Sequence, residues 1–190
     1  MLGQIAGIVV DFVGGFFVVL FLTRFYFQWL RVPFRNQFGE FVVATTNWAV
    51  VPARRLIPSV AGLDAASFAC AWLLQALVLA LLYAIGGRDL GAAPGALAGT
   101  LFAVALVDLL QTSLKMLLFI VVLQAVMSWI NPHSPLQYVL DATTRPLLRP
   151  IRRVVPPVAN VDLSPLVLIL ALTVLLVPVA ELRRLAAGLF

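Results

Sequence analysis

The sequence predicts an all-α, polytopic membrane protein. Three observations carry that prediction: an apolar composition, four stretches long enough to cross a bilayer, and a duplicated proline- and arginine-bearing segment between them. Of 190 residues, 63% are hydrophobic and 11% charged, with mean hydropathy +1.06. A water-soluble domain of this size has too much surface for its volume to hide so much apolar side chain. A cytosolic enzyme is therefore excluded, and a non-enzymatic role is expected. One cysteine, Cys70, and one histidine, His133, cannot supply a disulfide framework, a multi-ligand zinc site or an iron–sulfur cluster. Neither metal nor cofactor is expected.

The spans follow from the roughly 20 apolar residues that a hydrocarbon core of about 30 Å demands. The first runs from Ile5 to Leu22, interrupted by Asp11, with a helical tail through Arg24 and Gln28. Arg24 and Gln28 share a face near the interface, where snorkelling to the headgroups is the expectation. Ala65 to Ile85 is the second span and carries no charge. In the third, Met116 to Ile130 is clean but short. Extending it back to Leu101 takes in Asp108, Gln111, Thr112 and Lys115, which gives one long helix, tilted or protruding. The fourth is Leu163 to Ala180, with Pro165 in its first turn and Pro178 near its far end. The whole chain, 1–190, reads as one transmembrane domain: repeat 1 about 1–87, a middle loop about 88–97, and repeat 2 about 98–190.

Eight of the thirteen basic residues lie in two connectors: Arg31, Arg35, Arg54 and Arg55 in 31–64, and Arg145, Arg149, Arg152 and Arg153 in 131–162. The positive-inside rule puts both connectors in the cytoplasm and both termini outside. No basic residue precedes Asp11, so the first apolar run is expected to be a retained span rather than a cleaved signal.

Shifting the chain by 98 residues aligns the two connectors. Thr45, Thr46, Pro52, Arg54, Arg55, Pro58, Val60, Ala61 and Asp64 all recur 98 positions on. Apolar bias would match Leu and Val by chance, whereas here prolines, an arginine pair and an aspartate coincide, which marks a real repeat. Two crossings per copy return the chain to its starting side, so the copies are parallel about an axis along the membrane normal. Within each connector a short amphipathic helix is expected on the interface. In the second copy Ser134 caps it and Pro135 opens it, and it ends by Arg145, before Pro146. The first-copy equivalent is Asn36 through Asn47. Asp64 and Asp162 are expected to cap the second span of each copy.

The second connector reads Arg145-Pro146-Leu147-Leu148-Arg149-Pro150-Ile151-Arg152-Arg153-Val154-Val155-Pro156, then Asp162-Leu163-Ser164-Pro165. With Ser128-Trp129 upstream, it resembles the YggT family of small bacterial membrane proteins, called YlmG-like in photosynthetic lineages. Two tandem copies of the family unit cover nearly the whole chain. In the second copy Gln124 stands where a basic residue like Arg24 is expected, and Asn160 stands opposite Gly62. The resemblance implies a bacterial inner-membrane protein linked to ion homeostasis and osmotic-stress tolerance, as a small transporter or channel-associated subunit. Its alternative implication is a scaffold or assembly factor for division, nucleoid organisation or cytochrome maturation. The family brings no catalytic residues.

The residues themselves point to a few contacts. Arg54, Arg55, Arg149, Arg152 and Arg153 suit either anionic lipid headgroups or a phosphate-bearing partner. Acidic neighbours and the lack of a recognition motif argue against nucleic acid. Asp108, Gln111, Thr112 and Lys115 form a helical stripe that, with Asp11 and Arg24, is the candidate ion path or interhelix polar contact. Equally, the stripe reads as a stretch near the outer interface where Lys115 snorkels. Gln75 and Gln124 are expected to join helices by hydrogen bonds, and Gly3 and Gly7 form a weak signal for close helix approach. Partners are thus the lipid bilayer and, within it, a second copy or other membrane proteins.

Overall fold

The computed structural model describes residues 1–34, 36–59, 62–86, 94–155 and 162–187, with side chains from residue 98 in the fourth helix and up to residue 186 in the sixth. Among them are six helices and no strand: α1 (Leu2–Trp29), α2 (Gln37–Leu56), α3 (Ala65–Ile85), α4 (Pro94–Ile130), α5 (Pro135–Val154) and α6 (Ser164–Ala187). α1, α3, α4 and α6 are the four long, apolar, membrane-type helices. Arg35, Val60, Ala61, Pro156 and Asn160, all named above, lie outside the described residues.

α1 and α3 run antiparallel. Gly3 lies against Ile85, Gly7 against Leu82 and Gly14 against Val78. A Cβ on Gly14 would collide with the Val78 side chain, so glycine there sets how closely the helices approach. The Gly3 and Gly7 stripe is consequently spent on a contact within the chain. α4 and α6 form the matching antiparallel pair, joined by a cluster of Leu117, Val121, Leu168 and Leu172, with Leu148 of α5 among them. The two pairs meet where Ala76 and Leu79 of α3 pack on Val104 and Ala105 of α4, and Trp72 Nε1 donates to the Phe102 carbonyl at 2.9 Å. Arg24, near the end of α1, bonds to α2, and Tyr26, near the same end, packs on the cluster containing Leu148 of α5. Both connector helices therefore lie at one end of the bundle.

α4 has 37 residues, about 55 Å at 1.5 Å each, well beyond a hydrocarbon core of about 30 Å. It starts at Pro94 rather than Leu101, because proline suits a first helical turn whose N–H groups lack partners anyway. α6 continues past Ala180 to Ala187, carrying Glu181, Arg183 and Arg184 into the helix.

The connector helices are longer than expected. α5 continues through Pro146 and Pro150 to Val154, and α2 through Pro52 to Leu56, so neither stops at Arg145 or Asn47. An interior proline costs about 3 kcal/mol by deleting a hydrogen bond and crowding the preceding turn. Here all three prolines are on exposed faces, while Leu148 and Val50, on the opposite faces, are fully buried. Packing holds both helices together across their prolines. Their starts follow ordinary capping. Asn36 Oδ1 accepts from the Gly39 N–H at 2.8 Å, and Ser134 Oγ accepts from the Gln137 N–H at 3.1 Å, with Pro135 next in line.

Candidate functional site

The main polar feature of the spanning helices is a cavity of about 530 Å³ toward the end that carries the chain termini. Its wall draws on all four spans: Asp11 from α1, Gln75 from α3, Asp108, Gln111, Thr112 and Lys115 from α4, and Arg183 and Arg184 from α6. Gln111 and Thr112 each lie three or four residues from both Asp108 and Lys115, so one helix face presents all four. The antiparallel run of α6 then brings Arg183 to that face. Asp108 is 7% exposed, and it accepts from Arg183 Nε on Oδ1 and from Arg183 Nη2 on Oδ2. Gln75 Nε2 donates to Asp108 Oδ2 at 3.5 Å, so one carboxylate ties α3, α4 and α6 together. Asp11 and Lys115 are exposed at the cavity wall and form no ion pair among the described residues. Arg184 pairs with Glu181 at 2.8 Å.

A second polar centre lies at the connector end of the first repeat. Asp64 caps α3, 1% exposed. Its carboxylate accepts from Arg54 Nη2 at 2.6 Å and from Ser67 Oγ at 2.6 Å. Arg54 also donates to Gln28 Oε1 at 3.1 Å. Arg24 does not snorkel. It is 4% exposed, its Nη1 donates to Thr46 Oγ1 at 2.7 Å and Asn47 Oδ1 at 2.9 Å, and its Nε lies 3.9 Å from Asp64. A buried carboxylate and ready hydroxyl and amide acceptors on α2 outbid the headgroups for this guanidinium. Burial alone pushes the Asp64 carboxyl upward, but hydrogen bonds from Arg54 and Ser67 hold it below the usual carboxylate range.

The second repeat has a lighter version. Arg152 Nε donates to Asp162 Oδ2 at 2.9 Å, both side chains 41% exposed, and Asp162 Oδ1 accepts from the Ser164 N–H at 2.9 Å. Burial raises the Asp162 carboxyl, and the bond from the Ser164 N–H, with Arg152 nearby, brings it below its ordinary value. Gln124 is 5% exposed with no partner for Oε1. Each arginine pair therefore divides its work: Arg54 and Arg152 turn to an aspartate, whereas Arg55 and Arg153 are exposed and, like Arg149, make no hydrogen bond or ion pair among the described residues.

The α4 stripe and Asp11 stand out in the sequence, whereas Arg183 and Arg184 enter only with the structure. The missed signal is that an acid on one apolar helix can pair with a base at the matching depth of its antiparallel neighbour. No group of three or more His, Cys, Asp or Glu side chains that could hold a metal occurs among the described residues.

Comparison with known sequences agrees with this duplicated plan. The sequence model of the CCB3/YggT family matches residues 3–85 and 103–182, one segment per repeat. The uncharacterized protein YggT of Escherichia coli (strain K12) is 32% identical over 169 residues, covering 88% of this chain and 85% of the relative. An uncharacterized protein of Vibrio alginolyticus, described by its position 3′ of proC, is 32% identical over 157 residues, covering 82% and 83%. A Pseudomonas aeruginosa protein is 28% identical over 176 residues, covering 92% and 86%. No solved structure matches. The chain belongs to the CCB3/YggT family.

Proposed function

For this CCB3/YggT family member, we propose a non-enzymatic role in the bacterial inner membrane, supporting ion homeostasis or osmotic-stress tolerance as a small transporter or channel-associated subunit. The charged cavity carries the reading. Ionisable groups inside spans are costly and characteristically face a water-filled path or another helix. Here Asp11 and Lys115 share one cavity wall without ion-pair partners, beside the bridged Asp108 and Arg183. A cavity offering both signs of charge at membrane depth suits passage or sensing of small ions. Four spans make a narrow bundle, so a conduction path would take several copies or another subunit. The connectors face the cytoplasm and the termini lie outside, in keeping with the basic residues of the connectors.

Purified protein in liposomes tests this directly. Ion flux above that of empty vesicles is expected, and the double variant Asp108→Asn, Lys115→Met should remove most of it. Silent liposomes across alkali cations, protons and chloride would sink the reading.

The exposed Arg55, Arg149 and Arg153 support a second role, as a scaffold that holds division, nucleoid or cytochrome-maturation machinery at the membrane. Anionic headgroups are their simpler partners. Crosslinking from Arg149 and Arg153 in native membranes distinguishes the two, because a defined protein adduct favours the scaffold and lipid adducts alone exclude it.

A further inference from the structure

We propose that the second repeat binds a small monovalent alkali cation at the position where the first repeat holds the Arg24 guanidinium. The site is separate from the Asp108 cavity and stands whether or not that cavity passes ions.

Three stripes of side chains, one each on α4, α5 and α6, lead toward it from a shared apolar cluster. On α4, Leu117, Val121 and Gln124 are successive residues of one helix face, four and three apart. On α6, Leu172, Leu168 and Ser164 are likewise four apart, and on α5, Leu148 and Thr144. Leu117, Val121, Leu148, Leu168 and Leu172 form a single apolar cluster, so each stripe leads from that cluster to one polar residue. Antiparallel α4 and α6 bring Gln124 and Ser164 to within about a turn of the same depth, counting from the Asp108–Arg183 pair. Gln124 is 5% exposed, and Ser164 and Thr144 are fully buried. Gln124 Oε1 and Ser164 Oγ have no hydrogen-bond partner. Thr144 Oγ1 donates to the Leu140 carbonyl at 2.9 Å, which leaves its lone pairs available.

The first repeat shows what this arrangement takes. Thr46, the counterpart of Thr144, lies one turn before Val50, and Ser67 one turn before Ala71. Val50 and Ala71 belong to one cluster with Phe21, and Arg24 lies one turn beyond Phe21. There Thr46 meets a positive charge, since Arg24 donates to it, while Ser67 Oγ donates to Asp64. Gln124 brings an acceptor in place of that charge, so the second repeat gathers oxygens without the cation. Buried, unpaired acceptors cost free energy that a bound cation recovers. No carboxylate is among the three, since Asp162 is engaged by Arg152. Neutral hydroxyl and amide oxygens suit a singly charged hard cation better than a divalent one, whose sites are built on carboxylates. One such cation also equalises the charge count of the two repeats: two arginines with one aspartate in the first, and one of each in the second.

The test is the thermal unfolding of detergent-purified protein in matched concentrations of sodium, potassium or choline chloride. A saturable rise in Tm of roughly 3–6 °C with an alkali cation over choline is expected, together with broadening of the 23Na signal by wild-type protein. Gln124→Arg, which installs the first repeat's own solution, should lose the cation response. Ser164→Ala, a smaller change that preserves the fold, should weaken it at least tenfold in cation concentration. Equal Tm in sodium, potassium and choline, or a response that survives both substitutions, overturns the proposal and leaves water as the occupant.

Discussion

At the elbow of the first repeat, Asp64 is 1% exposed and gathers Arg54, Ser67 and, farther off, Arg24; at the elbow of the second, Asp162 is 41% exposed on Arg152. The same backbone plan thus supports two electrostatic regimes. In the first, the aspartate is buried and its loss strands the buried Arg24 guanidinium, while Arg54 is 43% exposed. In the second, solvent screens both partners and an isolated pair contributes little. A duplicated motif with the same letters therefore need not bear the same weight, and burial decides which copy holds the fold.

Predictions can break that contrast at its extremes. Asp64→Ala should destabilise by about 3–5 kcal/mol, as breaking a buried pair does, whereas Asp162→Ala should cost at most about 1 kcal/mol. Chemical or thermal unfolding of the two variants in micelles measures the difference, and equal losses would refute the contrast. Next, Gly14→Leu should cost about 1–3 kcal/mol through overpacking against Val78 in the α1–α3 contact. The second repeat already carries Leu114 one hundred positions on, so Leu114→Met should fall within about 1.5 kcal/mol.

Acid gives a subtler separation. Both aspartates titrate below their ordinary value in the folded state, so each contributes stability that is fully present above the unfolded carboxylate range, near about 3.9. That stability is lost as pH falls through the folded value. Melting temperatures followed from pH 7 down to 3 should fall less steeply for Asp64→Asn than for wild type, with a smaller flattening for Asp162→Asn. The weakest effect is expected on the outward arginines. Arg55→Ala and Arg153→Ala should leave the melting temperature within error, yet each should weaken binding to vesicles rich in anionic lipid by about 1 kcal/mol.

Much of this architecture could be read from the residues, and the exceptions share a cause. The four spans and the family follow from apolar runs and from the proline–arginine pattern, signals that are local and strong. The fate of a particular polar side chain is not local. Arg24 reads as a snorkelling residue on α1 alone; only the placement of Thr46 and Asn47 on α2 turns it inward. Asp108 stands out at once, but its partner Arg183 is 75 residues away and finds it through the antiparallel register of two helices. Pro146 reads as a helix stop because the proline penalty is a property of sequence, while the burial of Leu148 that offsets it is a property of packing.

The reach of the Asp108–Arg183 bridge has a consequence for how the protein is made. Arg183 is synthesised last among the groups that meet at Asp108, so a nascent chain paused before it exposes an acid on α4 with only Gln75 beside it. The final helix acts as a clasp that closes after the others have been threaded. Truncation before Arg183 should therefore yield a chain whose third crossing is poorly retained by the translocon and quickly degraded, although that crossing itself is untouched.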